Sequence, residues 1–174
     1  MAQKWSKLKK ALSQESSQSL LKLIKELYDL RSENRAFLEA RLVPEAVDSV
    51  TYRRRVEDAI SPDPLSRKDI SIAAARQAVR EYERAVTDAA LVADLMLYYV
   101  ECGTWFATDL AYGEVRYFRS LERMFAEMLE KLEDVDESAR GALIQRIENT
   151  IHRAGRTGWG YQDELRDQFE AWRK

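Results

Sequence analysis

Residues 94–114 read DLMLYYVECGTWFATDLAYGE and form the most apolar and aromatic stretch of this 174-residue chain. Four acids, Asp94, Glu101, Asp109 and Glu114, nevertheless interrupt it. Apolar residues recur at intervals of three and four, here and almost everywhere else in the chain, which predicts helix. The sequence therefore predicts an all-α fold, an irregular bundle of about eight helices around this central apolar helix, with no regular repeat.

Three of the acids share one stripe of the predicted helix with three aromatic side chains, because successive residues turn by about 100°. The members of this stripe are Asp94, Tyr98, Glu101, Trp105, Asp109 and Tyr112. Its carboxylates are either open to water or paired with arginines of neighbouring helices. Arg146, which flanks the apolar stripe of its own helix, is the expected inward partner. Glu114 lies beyond Gly113, in the first turn of the next predicted helix.

The stripe is too long for a single catalytic or metal centre. Asp94 and Glu101 are separated by about 10 Å of helix rise, and Asp109 lies about 12 Å further along. Oxygen ligands of one ion lie within about 2–2.6 Å of it. We therefore predict no metal, no cofactor and no catalytic set, and leave open a groove for a cationic or peptide ligand.

The single histidine and the single cysteine do not point to catalysis. His152 is predicted on the solvent side of its helix, which removes histidine-based triads and the usual zinc sets. Cys102 falls beside the apolar face and is expected to fill space there. Gly103, next to it, is interpreted as a place where the backbone of another helix packs closely.

The segment Gly158-Trp159-Gly160 contains closely spaced glycines but lacks the preceding strand and the further glycine of a phosphate-binding loop. We expect a tight turn in which Trp159 fills a gap in the core. The alternative is a recognition surface formed by Trp159, Tyr161 and Asp163.

Breaks and capping residues divide the chain into helices. The Ser-Pro-Asp-Pro segment at residues 61–64 forbids helix, so we expect a single helical domain over 1–174, with sub-structures 1–60 and 66–174 as the alternative. The capping box at residues 66–69 predicts the start of a long helix that either runs into the opening stretch or kinks near residues 87–88. The other predicted helices cover residues 5–12, 16–30, 32–42, 44–60, 114–133, 137–154 and 163–173.

The amino-acid composition limits the classes of partner and the cellular location that we expect. A net charge of −2 argues against general attraction to nucleic acid or acidic membranes, and the arginines at 53–55 splay around a helix. The longest apolar window, residues 89–107, contains two acids, so no membrane span is predicted. Because there is one cysteine and no signal peptide is recognisable, we expect a cytoplasmic location.

Three segments, residues 7–30, 93–125 and 158–165, resemble in that order a bacterial family of small helical proteins catalogued as domain of unknown function 6155. The most specific pieces are YVE-x-G-x-x-F-x-T at 99–108 and Gly-Trp-Gly-aromatic-x-Asp at 158–163. This chain has Tyr-Gly-Glu at 112–114, where the family pattern has Tyr-Gly-Asp. The resemblance implies a small intracellular helical domain and supplies no catalytic residues, since the family has no assigned activity.

These observations favour a non-enzymatic helical interaction or scaffold domain that binds another protein or itself. The alternative is a small-ligand-binding protein, or an enzyme of unrecognised type, that uses the acidic and aromatic stripe. Weak nucleic-acid binding is the third hypothesis, and it would show steep salt dependence.

Overall fold

The computed structural model describes residues 2–42, 49–66 and 68–174, and in these ranges it contains nine α-helices and no strand. The predicted all-α class is confirmed. The chain divides into two compact units, Met1–Val47 and Asp48–Lys174, called unit 1 and unit 2 below. The proline-containing break at residues 61–64 lies inside unit 2.

Over residues 2–42, unit 1 contains three helices: α1 (Ala2–Leu12), α2 (Ser17–Leu30) and α3 (Ser32–Leu42). The Ser16 hydroxyl caps α2 by accepting the Ser19 backbone N–H at 3.1 Å. Helices α2 and α3 are joined by polar contacts, among them the Tyr28 hydroxyl donating to Glu39 at 2.5 Å. None of the side chains at residues 4–35, 37–39 and 42 of unit 1 is buried.

Unit 2 contains the six remaining helices of the described ranges: α4 (Ser49–Ile60), α5 (Ile72–Ala85), α6 (Ala89–Asp109), α7 (Val115–Leu132), α8 (Glu137–Ala154) and α9 (Tyr161–Trp172). Helix α6 is central, since it packs against α4, α5, α7 and α8. Ten of its 21 residues are buried. This confirms the prediction that the apolar stretch beginning at Asp94 forms the central helix of the bundle.

Buried hydroxyl groups fix the helices around α6. Tyr99 bonds Ser120 of α7 at 2.6 Å, and Thr104 bonds Tyr161 of α9 at 2.8 Å. Tyr117 of α7 donates to the last carbonyl of α4, that of Ile60, at 2.8 Å. Each pair satisfies polar atoms that would be costly to bury alone.

Helix α7 packs closely on α6 at Gly103. A β-carbon built there would lie 2.3 Å from Cδ2 of Leu121. The prediction that a helix backbone packs closely at this glycine was wrong, because the nearest atoms belong to the Leu121 side chain.

The capping box at residues 66–69 does not start a helix, so that prediction was wrong. Residues Pro64–Ser66 form one 3-10 turn, and α5 begins after Ser71, whose hydroxyl accepts the Ala74 N–H at 3.3 Å. The Ser71 backbone N–H also bonds the Ala59 carbonyl at 2.8 Å, a contact with α4 that local sequence does not reveal.

Other helix boundaries differ by a few residues. The long helix breaks before α6, where Asp88 is the N-cap and accepts the Ala90 N–H at 2.8 Å. Glu114 is the N-cap of α7 and not part of its first turn, and α9 begins at Tyr161. The helix predicted over residues 44–60 is described from Ser49, and its earlier part lies outside the described residues.

Candidate functional site

The acids of the α6 stripe are paired with arginines. Arg146 of α8 donates through Nε and Nη2 to both oxygens of Glu101, at 2.9 and 2.7 Å, and through Nη1 to Asp94. Asp94 also accepts from Arg53 of α4. The pairing predicted for Arg146 is therefore confirmed, and α4, α6 and α8 are joined by one alternating chain of charges.

This network is half-buried. The side chains of Asp94, Glu101 and Arg146 are 23, 21 and 32 % exposed. The two hydrogen bonds from Arg146 to Glu101 and the one to Asp94 raise the pKa of this guanidinium above its ordinary value, although burial opposes the shift. The forked arginine geometry leaves little capacity on Glu101 for a second cation.

Asp109 has a separate arginine partner. Arg153 of α8 donates to its two oxygens at 2.8 and 3.1 Å, and the same guanidinium lies 3.9 Å from the ring centre of Trp105. The stripe is thus a row of neutralised pairs. A cationic ligand would have to displace an arginine from each acid.

The arginine run at 53–55 is also used inside the protein. Arg53 pairs with Asp94, and Arg55 donates to Glu81 of α5 at 2.7 Å. Within the described residues, only Arg54 of the run makes no side-chain hydrogen bond or ion pair, so the run offers no phosphate-binding face.

A groove follows one side of α6 in unit 2 and is called the α6 groove here. Its volume is about 1160 Å³. The floor is apolar and comes from α6 and its C-cap: Tyr98, Cys102, Trp105, Phe106 and Leu110. The walls come from α4 with the following turn and from α8 with the start of α9, and include Glu57, Ser61, Pro64, Arg146, Asn149, Arg153, Arg156 and Gln162.

Neither ionisable group on the groove floor is activated. Burial raises the pKa of the Cys102 thiol to about 12. Burial, Cys102 and Glu57 together raise the pKa of Tyr98, whose hydroxyl donates to Glu57 at 3.0 Å. At neutral pH both groups keep their protons, so Cys102 is not a nucleophile there. The sequence predicts this cysteine beside the core, and the structure places it half-buried at the groove floor.

His152 is exposed, as predicted, and lies at the groove wall. Among the described residues, no three side chains of the histidine, cysteine, aspartate and glutamate types come together in a way that could hold a metal ion.

The loop before α9 displays its tryptophan. Trp159 is 70 % exposed and has φ +61°, between Gly158 and Gly160, which are also left-handed. Its indole covers Gly113, where a β-carbon would lie 3.0 Å from Nε1. The prediction that Trp159 fills a core gap was wrong.

The remaining residues of the two candidate surfaces do not converge on the groove. Tyr161 is fully buried, and Asp163 is exposed and pairs with Arg166 at 3.2 Å. Tyr112 lies beyond the end of α6, where it packs edge-on against Phe106 and Tyr117. The straight-helix projection that aligns Tyr112 with Asp94 fails because α6 ends at Asp109.

A second exposed surface lies on unit 1 and is called the α2 face. It consists of Leu21, Leu23, Ile24, Leu27 and Leu30, which are between 38 and 69 % exposed. These five residues occupy about half of the helix circumference, and lysines and acids occupy the other half. The sequence predicts the helix, but only its lack of burial identifies this face as a surface.

Comparison of the chain with protein-family models, curated proteins and solved structures gives no match in any of the three. The resemblance to the bacterial family stays a prediction. No helix within the described residues has the length and apolarity that crossing a membrane requires.

Proposed function

We propose that this protein is a non-enzymatic helical interaction domain that associates with a second copy of itself through the α2 face. The exposure of this face carries the proposal. An isolated 14-residue helix is marginal in water, and packing of an apolar stripe normally stabilises it. In unit 1 the stripe has no buried member, so a partner surface would supply the missing burial.

The size of the face supports a weak and reversible contact. Burying the exposed half of a leucine or isoleucine contributes roughly 1 kcal/mol, so ten such side chains from two copies contribute on the order of 10 kcal/mol. Association costs at least about 4 kcal/mol. The difference corresponds to a Kd of roughly tens to hundreds of micromolar.

The net charge of unit 1 predicts a salt dependence that distinguishes self-association from binding to an acidic partner. Unit 1 carries nine basic and six acidic side chains, a net charge of +3. Two copies therefore repel each other weakly, and salt screens the repulsion. Self-association should tighten as salt rises, whereas binding to an acidic protein or an anionic membrane should weaken.

The stripe on α6 supports a non-catalytic role. Its three acids are held by Arg53, Arg146 and Arg153, and within the described residues no nucleophile paired with a base lies beside them. These three acids thus join α6 to α4 and α8.

Sedimentation velocity of the full chain between about 5 and 500 µM tests the proposal, since this range spans the expected Kd. The average mass should rise from the monomer value of 20.2 kDa with concentration. The double variant I24E/L27E should stay monomeric, and Lys22→Gln on the polar half of α2 should behave as wild type. A wild-type chain that stays monomeric throughout, with helix content unchanged by circular dichroism, would overturn the proposal.

A further inference from the structure

We infer that the α6 groove of unit 2 binds a small amphiphilic organic anion, with its apolar body on the α6 floor and its carboxylate at Arg156. This inference is independent of the association of unit 1. The inferred ligand is anionic, whereas the acidic stripe suggested a cationic ligand, because every acid of the stripe is already neutralised by an arginine.

The charges of the groove can be accounted for one by one. Glu101 and Arg146 pair with each other, Asp109 pairs with Arg153, and Glu57 accepts from Tyr98. The remaining charged side chain of the described groove lining is Arg156, which makes no side-chain hydrogen bond or ion pair within the described residues. Within the described lining, two charges therefore lack an oppositely charged partner: Arg156 near Leu110, and the Glu57 carboxylate at the Tyr98 end, whose bond comes from a neutral hydroxyl.

The position of Arg156 follows from the direction of α8. Arg146 meets Glu101, and Arg153, two turns later, meets Asp109 and Trp105. Helix α8 consequently runs parallel to α6. Arg156 follows one turn further and lies at the Leu110 end of the groove.

The floor suits an extended apolar body. From Tyr98 to Leu110 the α6 axis rises by about 18 Å. Trp105 and Leu110 are 56 and 47 % exposed, so a ligand would cover apolar surface that is now in contact with water. Apolar surface with one polar anchor is the usual composition of small-molecule sites.

The C-terminus of α8 opposes an anion at this place, since a helix end carries about half a negative charge. Arg156 carries a full positive charge, which exceeds this partial charge. Asn149, which lines the same wall and makes no side-chain hydrogen bond within the described residues, can donate a further hydrogen bond.

Titration calorimetry with three probes of one shape tests the inference: 6-phenylhexanoate, 6-phenyl-1-hexanol and 6-phenylhexylamine. The carboxylate should bind more tightly than the alcohol, while the amine can reach a partner only at Glu57, at the opposite end of the groove. Arg156→Gln should weaken carboxylate binding about three- to five-fold, the range of a solvent-exposed ion pair, and leave the alcohol unchanged. Arg80→Gln, an exposed arginine of α5 outside the groove, is the matched control.

Two further measurements locate the site. Phe106→Ser should weaken the carboxylate and the alcohol alike, while near-ultraviolet circular dichroism reports whether unit 2 stays folded. I24E/L27E should leave the affinity unchanged, because the α2 face is not the site. Equal binding of carboxylate and alcohol, or an Arg156→Gln affinity equal to that of wild type, would overturn the inference.

Discussion

Replacing Arg146 by methionine should destabilise unit 2 more than replacing Arg153, the arginine that pairs with Asp109. The change leaves Glu101 without its arginine partner and leaves Asp94 with Arg53 alone. Breaking a fully buried ion pair costs about 3–5 kcal/mol. Because these side chains are 21–32 % exposed, and Glu101 borders the open groove, water recovers part of this loss.

We expect a loss of about 2–3 kcal/mol in the free energy of unfolding. For a chain of this size each kcal/mol lowers Tm by about 2–4 °C, so Tm should fall by roughly 4–12 °C. Urea unfolding followed by circular dichroism measures the free energy, and a thermal scan measures Tm.

Two comparisons isolate the cause. Arg153→Met removes the same chemistry from Asp109, which is 48 % exposed, and should cost no more than about 1 kcal/mol. The double variant R146M/E101M removes both partners and should regain most of the stability lost in Arg146→Met. The reasoning is refuted if Arg146→Met and Arg153→Met cost the same within about 0.5 kcal/mol.

Three more outcomes follow from the contacts of unit 2. Cys102 should react with iodoacetamide at pH 8 far more slowly than a free thiol, because its pKa is raised. Mass spectrometry follows the reaction, which should accelerate once urea unfolds the chain. A rate in the folded protein equal to that of free cysteine would contradict the raised pKa. Burial raises the pKa of Glu81, but hydrogen bonds from Arg55 and Gln77 outweigh burial and lower it. The contribution of Glu81 to the free energy of unfolding is therefore fully present above its unfolded pKa, and it is lost as the pH falls through the lowered folded pKa. Urea titrations should therefore show Glu81→Gln less stable than wild type at pH 7 and close to it in acid, and a constant difference would count against the pairing. Gly103→Ala should cost about 1–3 kcal/mol because its methyl group would meet Leu121, and unchanged urea stability would show that Leu121 can move aside.

Much of the helix pattern could be predicted because it depends on local periodicity. The central helix, its aligned acids and the pairing with Arg146 all follow from placing residues at 100° intervals. The start of α5 could not be predicted in this way. Its position depends on the contact of the Ser71 N–H with Ala59, and this tertiary bond outweighs the capping pattern at residues 66–69.

Only part of the groove lining could be predicted from the sequence. Its floor includes Tyr98 and Trp105 of the predicted stripe, but the 100° projection assigns Phe106 and Leu110 to the opposite, core-facing side. The wall contributed by α8 was not predicted, although Asn149 and Arg153 are four residues apart and so share one helix face; Arg156 lies just beyond the end of α8. Periodicity shows that residues share a face, but it does not show which neighbour that face meets.

The chain of charges through Arg53, Asp94, Arg146 and Glu101 also bears on how the bundle folds. Its paired members are 41 to 52 positions apart in sequence. Closing such long loops is unfavourable until other contacts hold the helices together, so these pairs should form late. Substitutions in the chain of charges should accordingly accelerate unfolding and leave the refolding rate nearly unchanged. The network would then mainly slow the unfolding of a bundle that hydrophobic packing has already assembled.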